Sequence, residues 1–149
     1  MEIKFKVEGL DAWLEKLKAL QGIEHDPRIN KALGRGAARM QSAVKMLTPV
    51  DTGNLRNKIF TDNPKDMEWQ VSTNVEYAAY VEFGTGKLGD PSVPHTSKEY
   101  WVYWSDKLQH FVTTHGQKPV HMFQKGFDST KHQVTKIVND EVKEIIKNA

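Results

Sequence analysis

The sequence predicts an α+β fold: a small antiparallel β-sheet packed against a long central helix and a C-terminal helix. Three observations carry this. Apolar residues at helical spacing run from Ile29 to Leu47, and again from Phe123 to Ile145. Between these stripes lie short alternating stretches broken by Gly, Pro, Asn and Asp. Strands thus cluster mid-chain with helices towards the ends, which is segregation and not the βαβ alternation of an α/β fold.

The elements follow in order. Ile3, Phe5 and Val7 alternate with Lys4, Lys6 and Glu8, the pattern of a half-buried strand, and Gly9 breaks it. Leu10, Trp13, Leu14, Leu17 and Leu20 take helical spacing, with Gly22 as the stop. Pro27 opens a second helix whose stripe is Ile29, Leu33, Ala37, Met40, Val44 and Leu47. Its opposite face carries Arg28, Lys31, Arg35, Arg39 and Lys45. Gly34 and Gly36 each cost this helix about 1 kcal/mol relative to Ala, which predicts close approach by a neighbouring backbone. Pro49 ends it. Residues 57–61 read as a strand, residues 62–66 (Asp-Asn-Pro-Lys-Asp) as a turn, and residues 68–73 as a strand with Trp69, Val71 and Thr73 on one face. Residues 77–83 form a short helical turn. Residues 84–97 hold Gly84, Gly86, Gly89, Pro91 and Pro94 and are long for a loop in a compact domain, so a mobile segment is expected there. Residues 100–104 and 110–114 are strands, the first strongly aromatic, and residues 116–119 a turn. Phe123, Phe127, Val134, Ile137, Val138, Val142 and Ile145 trace the last helix. One domain over residues 1–149 is expected, without internal repeats.

Composition excludes several classes. The 21 basic and 19 acidic residues leave a net charge of +2, with no general electrostatic drive towards nucleic acid or anionic lipid. No cysteine is present, so there is neither a disulfide nor a thiol nucleophile. No apolar run approaches the ~20 residues that span a bilayer. The charged, alternating N-terminus is unlike a signal peptide, so the chain is expected to be made and kept in the cytoplasm unless a larger particle carries it out.

Asp51-Thr52-Gly53 matches the catalytic triplet of aspartic proteases, in which two carboxylates share a proton. That triplet should follow an apolar strand and lie beneath an apolar-apolar-Gly segment. Here a helix ending before Pro49 precedes it, and no such segment follows. A structural turn at Asp51, Thr52 and Gly53 is the simpler account, with Asp51 or Thr52 bonding local backbone N–H groups. The histidines His25, His95, His110, His115, His121 and His132 fit no metal-ligand spacing. No catalytic, cofactor or metal site is expected. Tyr100, Trp101, Tyr103 and Trp104, flanked by Lys98 and Lys107, could stack single-stranded nucleic acid, and Arg28, Arg35 and Arg39 could assist; this is the alternative function. Near-neutral charge favours instead an aromatic strand with one face in the core and one in a protein interface.

Two segments carry a family resemblance. Thr48-Pro49-Val50-Asp51-Thr52-Gly53-Asn54-Leu55-Arg56 runs on to Ile59, with Lys58 where a Ser is common. Tyr77-Ala78-Ala79-Tyr80-Val81-Glu82-Phe83-Gly84-Thr85 follows after a β-hairpin. Both resemble segments of the gene-product-ten-like tail-component family of tailed phages, also called neck or tail-completion proteins. Residues 116–126 resemble that family's Gly-x-x-Pro-x-Pro-Phe-Leu-x-Pro-Ala stretch, with the second and third prolines missing. Residues 87–114 are longer and more aromatic than the family pattern. The resemblance implies a non-enzymatic virion protein at the head–tail junction, working as a homo-oligomeric ring through which DNA passes without specific binding. Its partners would be neighbouring head-completion and tail proteins, with no membrane, and it would assemble in the host cytoplasm. Tyr77, Tyr80, Glu82, Phe83, Trp101 and Trp104 are the candidate interface residues.

Overall fold

The computed structural model describes residues 10–148. The strand expected at Ile3, Phe5 and Val7 lies outside the described residues, as do the side chains of Leu10, Trp13 and Leu14. In chain order the elements are α1 (Leu10–Ala19), α2 (Pro27–Leu47), α3 (Asn54–Asn57), β1 (Ile59–Lys65), β2 (Glu68–Thr73), α4 (Ala78–Phe83), β3 (Trp101–Ser105), β4 (His110–Thr114) and α5 (Met122–Lys147). The class is α+β. The strands form two small antiparallel ribbons, β1–β2 and β3–β4. Backbone contacts gather the chain into two compact units.

The first unit comprises Met1–Arg39, Thr61–Gln70 and Lys131–Ala149. Gly22 follows α1 with φ 78°, a left-handed conformation in which glycine carries no Cβ penalty. Asp26 caps α2: its Oδ1 accepts the Arg28 N–H at 2.8 Å. The same carboxylate takes the Arg28 guanidinium at 3.1 and 2.7 Å. Pro27 at the first helical position surrenders an N–H that would have no partner. Asn30 on α2 accepts from the Met67 N–H at 3.2 Å and from the Trp69 indole at 3.0 Å.

The two helix glycines do mark close approaches, but to side chains and not to a backbone. A Cβ on Gly34 would lie 2.9 Å from the Trp69 ring, and one on Gly36 would lie 2.7 Å from Val134. The turn expected over residues 62–66 is displaced. β1 continues through Lys65, and the chain reverses at Asp66-Met67, with Met67 at φ 61°. In a two-stranded ribbon every strand has an open edge, so Pro64 costs no ladder bond where its missing N–H faces outward. Asn63 keeps the strand end in place by donating to Glu68 O at 2.7 Å.

The second unit comprises Met40–Phe60 and Val71–Thr130. Its core is Val44, Leu55, Ile59, Ala78 and Met122, ringed by Met40, Val71, Val75, Val81, Val120 and Phe123. Each large aliphatic buried here contributes about 1.5–3 kcal/mol. The strand expected at residues 57–61 starts only at Ile59, because Asn54–Asn57 close one helical turn first. A Cβ on Gly126 would lie 2.6 Å from Val44, so the last turns of α2 and the first of α5 pass closely. The Thr48 hydroxyl, buried at the end of α2, donates to Val44 O at 2.7 Å.

Candidate functional site

Every residue of the three family-like segments lies in the second unit. The first segment is a helix–turn–helix. α2 ends at Leu47, Gly53 takes φ 85°, and α3 begins at Asn54. The Thr52 hydroxyl oxygen accepts the Asn54 N–H at 3.3 Å. Asp51 makes a longer-range contact, pairing with Lys107 of the β3–β4 turn at 2.6 Å. That hydrogen bond holds the Lys107 ammonium above its ordinary range. Both partners are exposed, so the carboxylate is solvated and paired with a cation.

The second segment forms α4. Tyr77, Tyr80 and Phe83 stand three residues apart and are all exposed, Tyr80 at 61%. Asn54 donates to the Tyr77 hydroxyl at 3.1 Å, tying α3 to the start of α4. A groove of about 570 Å³ runs between them, lined by Pro49, Val50, Asp51, Leu55, Tyr77 and Val81 among others. On the other flank of α4 a second groove, about 460 Å³, lies between Ala79, Tyr80 and Phe83 and the stretch Val93, Pro94, His95 and Thr96.

Glu82 points inward and is only 7% exposed. Its two oxygens accept the N–H groups of Phe123 at 2.9 Å and Gln124 at 3.1 Å. Those N–H groups belong to the first turn of α5 and have no partner within the helix. A carboxylate there also meets the positive end of the helix dipole. The backbones run alongside: Val120 N donates to Val81 O at 2.9 Å and His121 N to Glu82 O at 3.1 Å. Thr85 and Gln117 exchange two further bonds at 2.9 and 3.1 Å. The second and third segments are therefore one clamped structure.

Sequence reasoning missed the residues that make this clamp possible. A Cβ on Gly84 would lie 2.4 Å from Gln117 O, and one on Gly116 would lie 2.2 Å from Thr85 O. The signal was available, since a Gly near the end of one segment and another at the start of the next is what mutual backbone approach requires. Asp90 and His121 were missed as well. Asp90 N donates to Phe83 O at 2.7 Å, and its side chain meets His121 Nε2 at 3.3 Å.

The β3–β4 ribbon pairs Trp101 with Thr114, Tyr103 with Val112 and Trp104 with Phe111. Trp101 and Tyr103 share one face. The Trp101 ring reaches within 3.0 Å of where a Gly86 Cβ would sit. The other face bears Val102, Trp104 and Phe111, the last two 48% and 68% exposed and packed edge to face at 5.2 Å. Of the two tryptophans singled out by sequence, Trp104 faces outward.

The basic face of α2 is partly neutralised, with Arg28 on Asp26 and Arg35 on Glu141 at 3.3 Å. Among the described residues, no three His, Asp or Glu side chains stand together as a metal site, and no helix is long and apolar enough to cross a membrane.

Residues 11–84 match the family described as "Bacteriophage HK97-gp10, putative tail-component". Over this span the chain is similar to the HK97-gp10-like family. No curated protein and no solved structure matches the chain. The HK97-gp10-like span takes in α2, the Asp51-Thr52-Gly53 turn and α4, and it closes at Gly84. The β3–β4 ribbon and the third segment lie beyond it. This match supports a phage structural role of the tail-component kind.

Proposed function

We propose that the protein is a non-enzymatic subunit of a ring at the head–tail junction of a tailed phage, needed to complete the virion. The family match over residues 11–84 carries this reading. The surface supports it: the exposed Tyr77, Tyr80 and Phe83 face of α4 and the outer Trp104–Phe111 face are two separate apolar areas of one chain. A ring needs two different faces that meet head to tail and close by rotation. Glu82 serves this role from inside, by fixing α4 against α5. DNA passes through the ring without base-specific contact. The subunit lies in the virion and joins head-completion and tail proteins assembled in the host cytoplasm. Residues 84–97 order against the neighbour on assembly.

The test is light scattering of the purified chain over a concentration series, alone and with the tail and head-completion proteins encoded beside it, followed by electron microscopy. A closed ring bound to one of those partners is expected. A chain that stays monomeric with every such partner overturns the reading. A gel shift with single-stranded DNA that weakens steeply with salt would favour the nucleic-acid alternative.

A further inference from the structure

His121 combines several features at one point. It is one of three non-glycine residues with positive φ among those described, at 53°. It precedes α5, its N–H is held by Glu82 O at 3.1 Å, and its ring meets Phe83 edge to face at 6.4 Å. Its Nε2 lies 3.3 Å from Asp90 Oδ2, with both side chains largely shielded from solvent. Asp90 in turn organises the stretch after it. Its Oδ1 accepts the Ser92 N–H at 2.8 Å and the Ser92 hydroxyl at 2.6 Å, and its carbonyl accepts Val93 N at 3.3 Å. Val93, Pro94, His95 and Thr96 then form one wall of the groove beside Tyr80 and Phe83.

We infer that the His121–Asp90 pair is a pH-dependent latch that holds this groove wall closed when the imidazole is protonated and loosens it when the imidazole is neutral. An unusual backbone conformation persists where its surroundings over-determine it, and here three contacts from α4 and the loop do so. Histidine is the side chain whose charge changes between pH 5 and 8. An imidazolium gives Asp90 an opposite charge at 3.3 Å, whereas a neutral ring gives none. The charged contact exists only while the imidazole is protonated. It fails again when acid protonates Asp90, whose carboxyl is held below the usual carboxylate range by hydrogen bonds from Ser92, aided by the charges of His121 and His95. The other charged groups on the packed elements are Glu82 of α4, committed to the α5 N–H groups, His95 of the loop, and Lys118 and Lys125, which flank His121 along its own segment. His95 is the competing titrating group, so it needs its own control.

The inference concerns the free chain and does not depend on the ring assignment. The experiment is hydrogen exchange at the amides of Asp90, Ser92 and Val93 at pH 5.5 and 8.0, expressed as protection factors. The wild-type protein should be several-fold better protected at pH 5.5. His121→Asn, which tolerates the left-handed backbone, and Asp90→Asn should each abolish the difference, while His95→Asn should keep it. Equal protection at the two pH values in the wild type overturns the latch. So does a pH difference that survives in a folded His121→Asn or Asp90→Asn protein, or one that disappears in His95→Asn.

Discussion

Gly84 has φ 73° and ψ −176°, a backbone region that essentially only glycine enters. It also lies where a Cβ would meet Gln117 O at 2.4 Å. Gly84→Ala should therefore destabilise the fold by about 1–3 kcal/mol from the backbone alone. The clash adds to this, and a urea titration would measure the total. Asp51→Ala has the opposite expectation. It removes an exposed pair with Lys107 and leaves the left-handed Gly53 and the Thr52 bond intact, so the urea midpoint should barely move. Other carboxylates contribute to the acid limit. The Arg28 side chain, and then its N–H, hold the Asp26 carboxyl below the usual range, and Ser92 does the same for Asp90. A carboxylate with a lowered folded pKa adds stability that is complete above its unfolded value, about pH 4, and is lost as pH falls through the folded value. Thermal midpoints should drop on acidification below about pH 4, and Asp26→Asn should flatten that drop.

Between α4 and α5 the deciding interaction is the reach of Glu82 to two N–H groups. Glu82→Gln keeps one acceptor and loses the charge, and should cost about 1–3 kcal/mol, as for other buried bonds to a charged group. Circular dichroism during urea unfolding would show an earlier loss of helix. In the following loop, the amides of Thr85 and Asp90 have backbone partners, while His95 and Lys98 hold only bonds within two residues. Amide exchange should accordingly be fast over residues 94–98 and slower at Thr85 and Asp90. Most of these elements were legible in the sequence. The stripes of α2 and α5, the strands at Glu68–Thr73 and His110–Thr114 and the stop at Gly22 follow from period and punctuation alone. Three things were not. The Asn63-Pro64 pair reads as a turn because propensity cannot see that β1 has an open edge. Glu82 sits among exposed aromatics in a helix too short for period to assign its face, and only tertiary contact reveals it as a cap. Asp51 and Lys107 are 56 residues apart, and nothing local links them.

At the scale of the whole molecule, the family-matched span ends at Gly84, and the outward-facing Trp104–Phe111 pair lies beyond it on β3–β4. An isolated two-stranded ribbon is only marginally stable in water. This one is held chiefly by Trp101 on its inner face, with the exposed Lys87–Glu99 and Lys107–Asp51 pairs adding little. None of these uses the Val102, Trp104 and Phe111 side. On the proposal that the outer face is an assembly surface, a pair of substitutions separates folding from assembly. Trp104→Glu puts a charge on the exposed face and costs chiefly the edge-to-face contact with Phe111, about 0.5–1.5 kcal/mol. The protein should still fold, with near-native circular dichroism, yet fail to complement a phage lacking this gene, because a charge at an aromatic interface anchor leaves an unpaired group to desolvate. Trp101→Glu should instead unseat the ribbon from Gly86 and lower the thermal midpoint. A folded Trp104→Glu protein that supports full-titre infectious particles would remove the outer face of β3–β4 from the assembly surface and leave the α4 face to carry it.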